Sequence, residues 1–184
     1  HGDSEWASPE QYRPRDFVSD MEVLVTHLGL DAFVLAGHGA GGRNALVYAV
    51  AHPEKVDALV VVDSDLEAAA TESQGPPSGQ MGDSVSLEAL VGHLRAEQPG
   101  SNEETLRRQA TCLSRELPGG KRALKRDPAA LAEYDRPDLW DEWRRLRCPV
   151  LLVRGRQSQM LAHEAAVRMR EAVATVRLAE LEGG

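Results

Sequence analysis

The fold is decided by residues 32–42, which read Ala-Phe-Val-Leu-Ala-Gly-His-Gly-Ala-Gly-Gly. The apolar run 32–36 shows no polar alternation, which is typical of a strand buried on both faces of a parallel sheet. The glycines after it predict a tight turn, and the helical spacing of apolar residues over 43–52 predicts a helix. A second apolar run, 58–62, predicts another buried strand. The order strand, glycine turn, helix, strand indicates a βαβ unit with a right-handed crossover.

The sequence on either side adds further helices and strands. Residues 12–30 predict a first helix. Its buried stripe is expected to consist of Phe17, Met21, Leu24 and Leu28. Toward the C-terminus, short apolar runs at 150–153 and 176–179 predict two more strands, with a helix over 163–172 between them. The chain therefore alternates helices and strands, as α/β proteins do.

A long charged segment interrupts this alternation. Residues 72–84 are rich in Gly, Pro and Ser and predict a linker. Residues 85–136 carry two amphipathic helical stripes and no strand-like run. We therefore expect an α/β core formed by 1–65 and 139–184, with a helical insertion at 66–138.

Composition limits the classes of function. The chain has 184 residues, with 21 Lys and Arg against 29 Asp and Glu, and the net charge of −8 argues against binding to nucleic acid or to an anionic membrane surface. No apolar run approaches the roughly 20 residues of a membrane span. The two distant cysteines, Cys112 and Cys148, exclude a disulfide framework or a zinc cluster and favour a reducing cytoplasm. No metal or cofactor is predicted.

The glycine turn carries a resemblance to a known family. Residues 37–41, Gly-His-Gly-Ala-Gly, stand in the setting of the G-x-S-x-G nucleophile elbow. With the helix end at 27–30 and the run His-Pro-Glu-Lys-Val at 52–56, the chain resembles the α/β-hydrolase superfamily in its bacterial form with a helical cap. The resemblance implies a mostly parallel sheet with helices on both faces and a cap insertion. Residues 1–4 are similar to a family loop, so both ends are expected to lie inside a longer domain.

The resemblance also implies a chemistry, which is hydrolysis of an ester, amide or similar bond in a small organic molecule. This reaction needs a nucleophile, a histidine base and an acid. The nucleophile position is Gly39, which offers only a hydrogen atom, so we expect the chain to be inactive. A common acid slot holds Ser158, which makes Asp63, at a strand end, the acid candidate and Asp65 the fallback. The base is expected just beyond Gly184.

Three further residues receive predicted roles at the site. The backbone N–H of Ala40, at the start of the helix, is the expected oxyanion donor. His38 and Trp140 are predicted to line the pocket, although core packing is the simpler role for Trp140.

Two other functions remain open. The N-myc downstream-regulated family has a hydrolase fold with glycine at the elbow, so a non-catalytic relative that binds a small molecule or a protein is the first alternative. Gly37, Gly39 and Gly42 also match the G-x-G-x-x-G spacing of dinucleotide loops, with Asp57 or Asp63 as the ribose partner. The helical insertion argues against this second alternative.

Overall fold

A computed structural model describes residues 2–68, 85–132 and 136–182, with the side chains of all but 131 and 132. In chain order the helices are α1 (Pro14–His27), α2 (Ala40–Ala51), α3 (Leu87–Glu97), α4 (Glu103–Leu113), α5 (Ala129–Ala132), α6 (Trp140–Arg144) and α7 (His163–Ala172). The strands are β1 (Phe33–His38), β2 (Val56–Val62), β3 (Ser114–Glu116), β4 (Arg122–Leu124), β5 (Val150–Gly155) and β6 (Val176–Leu181). The predicted linker at 72–84 lies outside the described residues.

Strands β1, β2, β5 and β6 form one parallel sheet in that order. The predicted fold class, a mostly parallel sheet with helices, is confirmed. In the register of the sheet, His38 pairs with Val62, and Val62 pairs with Val153. The carboxyl ends of β1 and β2 are therefore level, while β5 continues two residues further to Gly155, and the residues that follow β1 and β2 lie together at this end of the sheet. Ligands of open parallel sheets bind outside this edge.

The core of the sheet unit (described residues 13–68 and 136–182) lies on one face of the sheet. Alternate strand residues point into it, as the period of two requires. The fully buried members are Leu59, Val61 and Leu152 from the strands, with Leu46, Tyr48, Trp143, Ala166 and Met169 from α2, α6 and α7.

The opposite face of β1 is exposed, so the prediction of a strand buried on both faces is wrong for the described chain. Val34 is 62% exposed, and Ala36 and His38 are exposed with it. Two strands away, Leu151 on the same face is 40% exposed. β1 is also one of the two edge strands of the described sheet. An unbroken apolar sequence indicates where a strand runs, but its neighbours decide which face is covered.

The predicted buried stripe of α1 is also wrong in part. Val18 and Val25 are buried and Met21 packs against the core, whereas Leu24 and Leu28 are 55% and 57% exposed. Two stripes that share Met21 run side by side on this helix, and both satisfy the helical period. Only the contact with α2 selects the stripe that contains Val18 and Val25.

A second compact unit, here called the helical unit, contains the described residues 2–12 and 85–132. Its core joins α3 to α4 through Leu90, Val91, Leu94, Leu106 and Ala110. Strands β3 and β4 form an antiparallel hairpin, which corrects the prediction that no strand lies in this segment. The first residues belong here too, because the hydroxyl of Tyr12 donates to Asp127 over 2.8 Å. The division into an α/β-hydrolase core at 1–65 and 139–184 and a helical cap at 66–138 stays a prediction.

Candidate functional site

The candidate site begins at the turn between β1 and α2. Gly39 is buried there with φ 55° and ψ −123°, a backbone that residues with a Cβ rarely adopt. Its N–H donates to the carbonyl of Val62 over 3.1 Å, and its carbonyl accepts from the N–H groups of Gly42 and Arg43. The predicted sharp turn at Gly39 is confirmed, whereas its role as a vacant nucleophile position stays a prediction.

Close packing explains two of the glycines around the turn. A Cβ on Gly37 would overlap the backbone carbonyl of Gly41, and a Cβ on Gly42 would overlap the hydroxyl of Ser64. A Cβ on Gly41 would meet no other atom within 4 Å. The two positions that require glycine for space are therefore Gly37 and Gly42.

Space does not explain the glycine at position 39. A Cβ there would meet only the terminal methyl of Met160, at 3.4 Å, which is ordinary van der Waals contact. Met160 lies in the loop between β5 and α7 and is itself exposed. A side chain at position 39 is therefore opposed by the backbone angle rather than by its neighbours.

Asp63 follows β2 at the same edge of the sheet. It is the only non-glycine residue of the described chain with a positive φ, at 43°. Its N–H donates to the carbonyl of Val153 over 2.9 Å, and its carboxylate accepts from the N–H of Gly155 at 3.4 Å. The structure thus places Asp63 beside Gly39 along the edge but directs its carboxylate toward β5. Its role as the acid stays a prediction.

Ser64 is a site residue that the sequence did not reveal. It is buried, and its hydroxyl lies 2.9 Å from the carbonyl oxygen of Gly39 and 3.0 Å from that of Val62. The hydroxyl hydrogen is shared between these carbonyls, so Ser64 ties the Gly39 turn to the end of β2. A serine in this position is held as a donor and is not an attacking group. The signal that could have found it is Gly42, which leaves room for it.

Asp65, the fallback acid, has two cationic partners. Its carboxylate lies 3.3 Å from the guanidinium of Arg43 and 2.6 Å from that of Arg136. Two arginines on one carboxylate fix its orientation. Both contacts are made by Oδ1, so Asp65 is engaged in an ion pair through one carboxylate oxygen, and its fallback role as the acid stays a prediction.

His38 and Ala40 stand on either side of Gly39. His38 ends β1 and is exposed on the sheet face opposite the core. Ala40 begins α2, so its N–H lies at the N-terminus of the helix, where backbone donors point out of the helix end. Both residues adjoin the turn, and their predicted pocket and oxyanion roles stay predictions.

Trp140 occupies a place of its own. It is half-buried at the start of α6, with the guanidinium carbons of Arg144 and Arg168 at 5.5 and 5.8 Å from its ring centroid. These residues and Ala172 line an open depression, whose lining does not include His38, Gly39 or Asp63. The predicted role of Trp140 in a pocket beside the Gly39 turn stays a prediction.

His52 and His163 each pair with a carboxylate away from the turn. Nδ1 of His163, the first residue of α7, lies 2.9 Å from the carboxylate of Glu180, which also accepts from Arg154 over 2.9 Å. The hydrogen bond from His163 and then that from Arg154 lower the pKa of Glu180. His52 likewise lies 2.8 Å from Glu22. The base expected beyond Gly184 stays a prediction.

Residues 2–68, 85–132 and 136–182 contain no group of three or more His, Cys, Asp or Glu side chains that could hold a metal ion. None of their helices is long and apolar enough to span a membrane. Both cysteines are free thiols, with Cys112 exposed and Cys148 half-buried. Burial raises the pKa of the Cys148 thiol.

Comparison with known proteins agrees with this geometry. A family model for the alpha/beta hydrolase fold matches residues 1–183. The chain belongs to this family. The match over almost the whole chain favours the hydrolase interpretation of the glycine turn over the dinucleotide loop.

Members of the alpha/beta hydrolase fold family with named activities are similar to the chain. It is 28% identical over 165 residues to 2-(acetamidomethylene)succinate hydrolase of Mesorhizobium japonicum, which covers 85% of this chain and 58% of that protein. It is 30% identical over 166 residues to an esterase of Mycobacterium tuberculosis, covering 86% and 55%. The chain therefore spans little more than half the length of these relatives.

A solved structure shows the same fold. The crystal structure of E-2-(acetamidomethylene)succinate hydrolase superposes with a TM-score of 0.82 and 25% identity, over 100% of this chain and 70% of the other. The likeness extends over every described element of the alpha/beta hydrolase fold in this chain.

Proposed function

We propose that this chain is a relative of the ester and amide hydrolases that has lost the nucleophilic group and does not run the serine-type reaction. The observation that carries the proposal is Gly39. It occupies the turn between β1 and α2 with φ 55°, where the family's serine stands, and it has no side chain. Without an attacking hydroxyl no covalent intermediate forms.

The related proteins suggest the class of molecule that the site accepts. One is a hydrolase of 2-(acetamidomethylene)succinate, and another is an esterase. We infer a small organic partner with an ester, amide or similar bond, and we keep the cytoplasm as the proposed location. No metal or cofactor enters this proposal.

Neighbouring groups do not replace the missing serine. Ser64 is buried with its hydroxyl bound to the carbonyls of Gly39 and Val62. Asp63 carries a carboxylate at the same edge, which could orient a histidine supplied from beyond Gly184. Among the described residues this carboxylate accepts a hydrogen bond from the N–H of Gly155 and none from a histidine. Losing the nucleophile alone typically removes several powers of ten in rate, and further losses then add little.

The second candidate is a binding protein on the hydrolase fold. The observation that favours it is the intact turn, because the close approaches at Gly37 and Gly42 and the bond from Ser64 persist although no nucleophile is presented. A turn that keeps its packing and hydrogen bonds but presents no reactive group is consistent with a site that binds a ligand without cleaving it. The dinucleotide alternative has no comparable support.

The test is hydrolysis of p-nitrophenyl butyrate together with labelling by a fluorophosphonate, which reacts only with activated nucleophiles. We expect neither turnover above background nor labelling for residues 1–184, and no change in Gly39→Ser, because Asp63, the proposed acid, bonds to Gly155 and to no histidine of the described residues. Saturable hydrolysis that survives Asp63→Asn contradicts both the nucleophile and the acid assignments. A saturable rise in melting temperature with 2-(acetamidomethylene)succinate, without turnover, favours the binding candidate.

A further inference from the structure

A buried arginine stands four residues after Gly39. Arg43 lies in the first turn of α2 and is 3% exposed. A buried guanidinium is unfavourable unless hydrogen bonds and an opposite charge compensate for its lost hydration. The hydrogen-bond partners of the Arg43 guanidinium therefore indicate its structural role.

The guanidinium of Arg43 contacts two stretches of chain. One nitrogen donates to the carbonyl of Asp65 over 2.8 Å, to its carboxylate over 3.3 Å and to the carbonyl of Glu67 over 3.4 Å. The other terminal nitrogen donates to the carbonyl of Pro137. Arg136, next to Pro137, binds the same carboxylate of Asp65 over 2.6 Å.

These two stretches are the places where the chain leaves β2 and returns to α6. They are about 70 residues apart in sequence, yet the N–H of Leu139 also donates to the carbonyl of Leu66 over 2.8 Å. The planar fork of an arginine can bind acceptors on both stretches at once, which the single ammonium of a lysine cannot do in the same way.

The backbone of Arg43 contacts the candidate site directly. Its N–H donates to the carbonyl of Gly39 over 3.2 Å, and the hydroxyl of Ser64 donates to the same carbonyl over 2.9 Å. Asp63 lies directly between the end of β2 and the Ser64–Asp65 pair, with a positive φ of 43°. A backbone angle of this kind persists only where the surroundings hold it.

We propose that Arg43 is the positioning residue of this site. Its guanidinium clamps the departing stretch 65–67 to the returning stretch 136–137, and through Asp65 it holds Asp63 in its left-handed conformation beside Gly39. The inference goes beyond the proposed function, since it concerns how the edge is built and holds whether the site cleaves or binds its ligand.

Amide hydrogen exchange, resolved by residue with NMR on the full chain, tests the proposal. The Leu139 amide reports the clamp and the Asp63 amide reports the site loop, because their bonds to Leu66 and Val153 protect them. The Leu59 amide, which donates to the carbonyl of Pro149 from the middle of β2, is the internal reference. We expect Arg43→Met to raise exchange at Leu139 and Asp63 at least about tenfold more than at Leu59, as the loss of charged hydrogen bonds implies.

Two conservative variants keep the proposal open to refutation if Arg43→Met does not fold. In Arg43→Lys the ammonium should keep its partner Asp65, so Asp63 stays protected while Leu139 exchanges faster. Asp65→Asn should raise exchange modestly at both amides, because the carbonyl acceptors remain.

The matched control is Arg154→Met, another buried arginine, which binds Leu161 and Glu180 instead. It should leave Leu139 as protected, relative to Leu59, as in the parent chain. An equal rise in exchange at Leu139, Asp63 and the reference Leu59 in Arg43→Met, or full protection of Leu139 in Arg43→Lys, overturns the clamp.

Discussion

Replacing Gly39 by alanine measures the free-energy cost of holding a residue with a Cβ in the backbone conformation of this turn. The residue has φ 55° and ψ −123°, and the added Cβ meets only the methyl of Met160 at 3.4 Å. The steric term is therefore small, and the cost is that of holding a residue with a Cβ at this angle, about 1–3 kcal/mol. For a chain of this size, that corresponds to a fall in melting temperature of roughly 3–10 °C.

Gly41→Ala is the matched control for this prediction. Gly41 lies in α2, two residues further on, with no positive φ and open space around its Cβ position. Alanine there should leave stability unchanged or raise it by up to about 1 kcal/mol, because alanine is the better helix former. Urea unfolding followed by circular dichroism gives both free energies. If Gly39→Ala unfolds at the same urea concentration as the parent chain, the backbone at 39 is not the constraint described above.

Two further predictions concern Ser64 and Glu180. Ser64→Ala should lower the free energy of unfolding by about 0.5–1.5 kcal/mol through the lost buried hydrogen bond. Gly42→Ala should be less costly in that background than in the parent chain, because the nearest atom to its Cβ is the Ser64 hydroxyl; additive losses in the double-mutant cycle would contradict this packing. The pKa of Glu180 is lowered by His163 and Arg154, so its ionised form stabilises the fold above the unfolded pKa of about 4.3, and this contribution disappears as pH falls through the folded pKa. The melting temperature should therefore fall more steeply between pH 6 and pH 3 for the parent chain than for Glu180→Gln. An equal fall in both proteins would contradict a stabilising role of the ionised Glu180.

Part of this structure could be predicted from the sequence, because it depends on residues that are neighbours along the chain. The turn at Gly39 follows from the order of an apolar strand, several small residues and a helix, because its backbone angle depends on neighbouring residues along the chain. The parallel arrangement of β1, β2, β5 and β6 follows similarly from strands separated by helices. The hairpin of β3 and β4 was missed because its strands lack alternation. The available signal was the turn Pro118–Gly120, in which Gly119 and Gly120 have φ 81° and 74°.

Contacts between distant residues were decided by the tertiary structure alone. Which stripe of α1 is buried depends on where α2 lies, and which face of β1 is covered depends on the elements packed against the sheet. The sequence does not show that Asp65 has ionic partners, whereas in the folded structure Arg43 and Arg136 contact its carboxylate. Sequence therefore determined the family and the glycine turn at position 39, since these follow from residue type and local order. The partners of Ser64, Asp65 and Arg43 lie 20 to 95 residues away in several cases, and only folding brings such groups within hydrogen-bond distance.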